Sequence, residues 1–165
     1  MKTAEDVDAP AKPSSVGAIL QGVMTEECKL RTTTRHCYRN LRGPYRHSLQ
    51  KLFDDQCRQL ESWLDQLKTR GHALAPQGAA TAEFTTDEPR VESGTVLSGM
   101  PAAGWVGALI TWHEQLATRL QADTHYCAKA LADQATAETL DQLARFHETT
   151  AWLLRTALEW RDSGI

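Results

Sequence analysis

The stretch RHCYRNLRGPYRHSLQKLFDDQ, from Arg35 to Gln56, gathers the residues most able to do chemistry. It carries His36 and His47, four arginines, and Asp54 beside Asp55 at its end. Imidazole nitrogens and carboxylate oxygens are the donors that an iron(II) site needs. Arginines do different work: a guanidinium is permanently charged and grips a carboxylate or phosphate through two parallel hydrogen bonds. The segment therefore points either to a metal centre or to ion pairing where a metal centre could stand.

Spacing sharpens the second possibility. Between Cys28 and Phe53 there are seven basic residues and no acid. Arg31, Arg35, Arg39 and Arg42 recur every three or four residues, which places them in a ridge along one helix face. Asp54, Glu61 and Asp65 form an acidic stripe on the next helix, at spacings of seven and four. The expected arrangement has Arg35 or Arg39 neutralising Asp54 or Asp65, within one subunit or across a dimer. Two alternatives stay open for the ridge: binding the phosphates of DNA or another polyanion, or simple solvation.

Other candidates carry less. His113 and His147 each begin a His-Glu pair, and neither makes HExxH. His147 falls on an apolar stripe and reads as a hydrogen-bonded core histidine, while His125 reads as solvated. Cys28, Cys37, Cys57 and Cys127 form no CxxC pair, so buried free thiols are expected rather than a zinc site or disulfide framework. Trp152 lies among Arg145, Glu148, Arg155 and Glu159, where a tryptophan is expected to contact another subunit.

The elements that must hold these residues are helical. The 165 residues suffice for one domain with a real core. The net charge of −3 and pI near 6.1 give no global drive toward nucleic acid. No apolar run approaches the roughly 20 residues of a membrane span, and the N-terminus has no signal-peptide pattern, so a cytoplasmic protein is expected. Met1–Ser15 reads as a mobile tail, and residues 16–165 as the folded domain. Helical periodicity predicts a helix over Val16–Asn40, capped by Ser14 or Ser15, and a second from Tyr45 to Arg70. Leu49, Phe53, Leu60, Leu64 and Leu67 form the second helix's inner stripe, and Gly71 is its expected C-cap. A long connection then runs from His72 to Gly99. A third helix is expected over Ala102–Leu131, its seam being Trp105, Leu109, Trp112, Leu116 and Leu120. A fourth is expected over Ala135–Trp160, with Leu140, Leu143, His147, Ala151, Leu154 and Leu158 facing inward. Two helices, one long crossover and two more helices describe an all-α, ferritin-like four-helix bundle.

Particular stretches also resemble a family. GPYRHSLQKLFDDQ is similar to the start of the second helix in the Dps mini-ferritins, which protect DNA during starvation. ALADQATAETL resembles that family's turn between the third and fourth helices, and RFHETTAWLLRTALE its last helix. The resemblance runs without insertion over most of residues 16–160.

It implies a homo-oligomeric cage, a dodecamer, that oxidises iron(II) with peroxide at sites shared across two-fold interfaces, stores the mineral and in many members binds DNA. It also implies a ferroxidase motif, and here that motif is degraded. The His-Trp pair expected ahead of the Gly-Pro turn is Tyr38-Arg39, the next histidine is Gln50, and the closing glutamate is Thr69. Only Asp54 and Asp65 remain of the implied acids, with His47 nearby as a stand-in. Asp123, Asp133 and Glu138 are the implied pore acids.

Three functions follow as expectations. The first is an iron-sequestering, DNA- and stress-protective cage with a degraded ferroxidase centre. The second is a shell that binds DNA or a partner without iron chemistry. The third is a working ferroxidase using Tyr38, His47, Asp54 and Asp65. The acidic residues Glu5, Asp6 and Asp8 outnumber Lys2 and Lys12 in the tail, which argues against a lysine-rich DNA-binding arm.

Overall fold

The computed structural model describes residues 15–42, 46–74 and 102–162; the expected tail and long connection lie outside these, Ser15 and residues 72–74 excepted. Four helices make up the described chain: α1 (Val16–Asn40), α2 (Arg46–Leu74), α3 (Ala102–Lys129) and α4 (Gln134–Asp162). No strand occurs among the described residues.

Local chemistry sets the helix ends. Ser15 is extended and its hydroxyl accepts the Ala18 N–H at 3.2 Å, which starts α1. At the far side of α3, Ala132 adopts a left-handed conformation with φ 51°, and Asp133 N–H bonds back to the Cys127 carbonyl at 3.0 Å. That turn reverses the chain in four residues. One expectation fails here: Gly71 does not cap α2. It is a buried residue within the helix, which runs on to Leu74. A glycine that lets another surface approach closely is as common a use of the residue as a left-handed turn.

The helices pair as two hairpins, α1 on α2 and α3 on α4, and the α1–α3 and α2–α4 contacts close the bundle. That leaves α1 opposite α4, and α2 opposite α3, across its two diagonals.

The inner stripes account for the packing, with one shift. On α3 the buried line is Val106, Leu109, Ile110, His113, Leu116, Ala117 and Leu120, while Trp105 and Trp112 sit half-buried at its edge. Tryptophan is too large for the narrow centre of the bundle, so small and branched residues take the seam.

The core divides in two. One apolar cluster centres on Leu20, Met24, Leu64, Leu67, Leu120 and Leu140. The other centres on Leu30, Phe53, Leu60, Leu109, Leu116 and Leu154. Each fully buried leucine is worth about 1.5–3 kcal/mol, so these two ends supply the burial energy. Between them, at mid-height, the core is polar.

Candidate functional site

Every helix puts one polar side chain into that middle layer: Glu27 from α1, Gln56 from α2, His113 from α3 and His147 from α4. Glu27, His113 and His147 are fully buried and Gln56 nearly so. They form one continuous chain. Glu27 Oε1 meets His147 Nε2 at 2.9 Å, His147 Nδ1 meets His113 Nδ1 at 2.8 Å, and His113 Nε2 meets the Gln56 amide nitrogen. The two end bonds span the diagonals of the bundle and the middle one joins the α3–α4 hairpin.

The rings of His113 and His147 have centroids 5.0 Å apart. That separation is close to the nitrogen–nitrogen distance extended by both ring radii. The facing nitrogens therefore point along one line, as in an N–H···N bond, and do not converge on a third point as two ligands of a cation would. Among the described residues no group of three or more His, Cys, Asp or Glu is arranged to hold a metal. Burial, and then the neighbouring His147, pushes the His113 imidazole well below its ordinary pKa, so it stays neutral. The Phe146 ring packs on the edge of His113 and against His147, sealing one side.

The end of α1 and the first turns of α2 build a second, outer site. A cleft of about 230 Å³ between α1 and α2 is lined by Arg35, Tyr38, Arg39, Asp54, Cys57, Arg58 and Glu61. Within the chain its acids pair with other arginines than those expected there. Arg35 reaches Glu61, and Asp54 is held by Arg58 one turn along α2. Arg58 also lies 3.8 Å from Asp55. Helix geometry explains the change: Arg58 is the i+4 neighbour of Asp54, whereas Arg35 lies level with Glu61, two turns further along α2.

Asp65 does not join this cleft. It is exposed in a separate shallow groove with Ser62, Gln66, Thr69 and Arg70. Tyr38 is partly exposed, its carbonyl 3.5 Å from the Gln50 amide, and His47 is exposed on the first turn of α2. Within one subunit, therefore, Tyr38, Gln50, His47, Asp54 and Asp65 do not surround a common point. A phenol, an amide and a carboxylate already engaged by Arg58 do not fit the donor set of iron(II).

Burial pushes the Cys37 thiol up to about 12, and the Cys57 thiol up to about 11 despite the opposing pull of Arg35. All four cysteines are buried and none forms a disulfide. The ridge is graded along its length. Arg31 and Arg35 are half-buried, while Arg39 and Arg42 are exposed next to the exposed Arg46 and Lys51 of α2.

The three acids expected at a pore have separate local roles. Asp133 is the N-cap of α4: its carboxylate accepts the Thr136 N–H at 3.0 Å and the Thr136 hydroxyl at 2.8 Å. Arg70, from the end of α2, donates to both Asp133 oxygens at 2.7 and 2.9 Å. With a side chain only 11% exposed, Asp133 is a structural clasp rather than a solvent-facing acid. Asp123 is half-buried 3.6 Å from Arg119, and burial raises its carboxyl against the pull of that arginine. Glu138 is exposed and accepts from Gln134 at 3.2 Å. Trp152 is 60% exposed, with Leu153 beside it 40% exposed, on the outer face that also carries the Arg155–Glu114 pair.

The sequence reading missed Glu27 and Gln56. Their signal was present: each is a polar residue at an inner-stripe position, Glu27 between Met24 and Leu30, Gln56 between Phe53 and Leu60.

Helix order, hairpin pairing and the α1–α3 and α2–α4 contacts define a ferritin-like four-helix bundle. Comparison with known proteins agrees on the fold. The X-ray structure of Dps from Thermosynechococcus elongatus superposes with a TM-score of 0.63 at 20% identity, covering 87% of this chain and 95% of that one. In sequence, the chain is 27% identical over 143 residues to an uncharacterized low temperature-induced protein of Nostoc sp., and equally to its homolog in Anabaena variabilis; the match covers 86% of this chain and 78% of each relative. No family model matches. No helix among the described residues is long and apolar enough to cross a membrane.

Proposed function

We infer that this chain is the subunit of a Dps-like mini-ferritin cage that sequesters iron under stress but lacks a working ferroxidase centre at the interface position. The observation that carries this reading is the cleft between α1 and α2. There, in a ferritin-like bundle, Arg35–Glu61 and Arg58–Asp54 pairs fill the cleft lined by Tyr38 and Asp54, two of the positions for which the resemblance implies iron ligands. Guanidinium groups supply the positive charge that a ferrous ion would otherwise bring, without redox chemistry. Iron entering such a cage is cargo and mineralises without fast oxidation at paired sites. The outward Trp152 and Leu153 provide apolar area for assembly.

The test is anaerobic titration of the purified assembly with iron(II), followed by peroxide. The expected result is slow oxidation without saturable tight sites. Stoichiometric binding at two sites per dimer with rapid peroxide turnover, abolished by Asp54→Ala, would reject the reading in favour of an active ferroxidase with unusual ligands.

A second reading has its own support. The exposed Arg39, Arg42, Arg46 and Lys51 crowd one corner of the bundle, while Arg58 satisfies the adjacent Asp54 and Asp55. Among the described residues none of the four makes an ion pair, so that corner offers positive charge suited to the phosphates of DNA. Retardation of a DNA duplex at low salt, relieved by Arg39→Ala with Arg42→Ala, supports it; no retardation at low salt removes it.

A further inference from the structure

The buried chain has a direction. An amide nitrogen only donates, so Gln56 donates to His113 Nε2, which must then be an acceptor. His113 therefore carries its proton on Nδ1 and donates to His147 Nδ1. That leaves His147 protonated on Nε2, donating to the Glu27 carboxylate. Every bond runs from Gln56 to Glu27, whose carboxylate sits fully buried at the end. Two oxygens take no part: Gln56 Oε1 and Glu27 Oε2 are buried and have no hydrogen-bond partner among the described residues.

The ionisable groups around the layer are few. On α1 they are Glu27 itself and the half-buried Arg31 one turn on. On α2 the nearest is Cys57, a thiol pushed up to about 11. On α3 and α4 they are the two histidines, for Glu114 and Glu148 turn away to Arg155 and Gln121.

We propose that this chain is a one-proton site in the bundle core whose occupancy is coupled to a flip of the Gln56 amide. A proton from solvent arrives at His113 Nε2, and the proton on His113 Nδ1 crosses the 2.8 Å bond to His147 Nδ1. His147 becomes an imidazolium against the Glu27 carboxylate and donates back to His113, which now carries its own proton on Nε2. Gln56 turns its carbonyl toward His113 to accept that Nε2–H. One proton has entered, none has left, and the layer has gone from net negative to neutral. The flip also gives Gln56 Oε1 the partner it lacks. A buried carboxylate favours this state, because an isolated charge in a low-dielectric core is costly. The collinear nitrogens make the reversal possible without moving a helix.

Solid-state NMR of the intact protein labelled with 13C,15N-histidine reads both tautomers. The expected result is a single step in which His147 becomes doubly protonated while His113 changes from the Nδ1–H to the Nε2–H form. Gln56→Met removes the donor of the resting state and the acceptor of the protonated state together, so its midpoint should stay within about one pH unit of the parent. Gln56→Glu, which when ionised only accepts, loses the donor and keeps the acceptor and should raise the midpoint; if that variant does not fold, the tautomers of the parent protein decide alone. Rings that keep their tautomers throughout the folded pH range, that titrate independently, or whose step is unmoved in a folded Gln56→Glu would overturn the proposal.

Discussion

Asp133 concentrates several stabilising roles in one carboxylate. It caps α4 through Thr136 and receives a two-pronged arginine from α2, so it ties the end of one hairpin to the start of the other helix pair. Asp133→Ala is expected to cost about 2–3 kcal/mol, read by urea denaturation, because a cap and charge-assisted bonds go together. The same group predicts an acid limb. Burial alone would raise the Asp133 carboxyl, but the Thr136 N–H, Arg70 and the Thr136 hydroxyl outweigh it and hold the group below its ordinary value of 3.8. A carboxylate depressed in the fold contributes stability that is complete above 3.8 and lost as pH falls below it. Asp133→Asn should flatten that part of the stability–pH profile while retaining most of the cap. In contrast, the Arg35–Glu61 pair, roughly 40% exposed on both sides, contributes no more than about 1 kcal/mol. A double-mutant cycle on Arg35 and Glu61 should return a coupling of that size or smaller.

Three of the helices were legible because their apolar spacing is long and regular; that of α1 is looser, and its start falls where Ser15 puts it. What the pattern hid is the polar layer. Glu27 and Gln56 occupy stripe positions where hydropathy expects a leucine, and one residue per helix gives no local motif. Only the diagonal pairing of helices brings the four together. The ion pairs of the outer cleft were half legible: sequence charge foretold arginine–carboxylate pairing, but the choice of Glu61 over Asp54 for Arg35 depends on the relative height of α1 and α2. The layer fixes that height. Sliding one helix by a turn would leave buried polar groups unmatched, so it acts as a register pin. Truncating one member, as in His147→Ala, is expected to cost about 3–5 kcal/mol by denaturant titration, since it strands a buried carboxylate. A well-packed apolar replacement of all four should be far less damaging. At the turn before α4, Ala132 holds a left-handed backbone that costs an alanine roughly 1–2 kcal/mol. Ala132→Gly relieves this and should raise the urea midpoint, by about 1 kcal/mol in stability.

At the scale of the whole molecule, the bundle presents Trp152 and Leu153 to the outside, an apolar pair that a lone subunit would leave wet. If it lies in an interface core, Trp152→Glu should shift the protein to a smaller species by light scattering while leaving its far-ultraviolet circular dichroism unchanged. Unaltered mass would place the assembly surface elsewhere.

The polar layer has a last consequence, for motion. It interrupts the apolar interior at mid-height, where Phe146 alone packs against both clusters among the partly buried hydrophobics described. Amide exchange is therefore expected to show two blocks of differing protection, with the turns around Glu27, Gln56, His113 and His147 as the last to release their hydrogens. Such a bundle would breathe at one pole while keeping its waist closed.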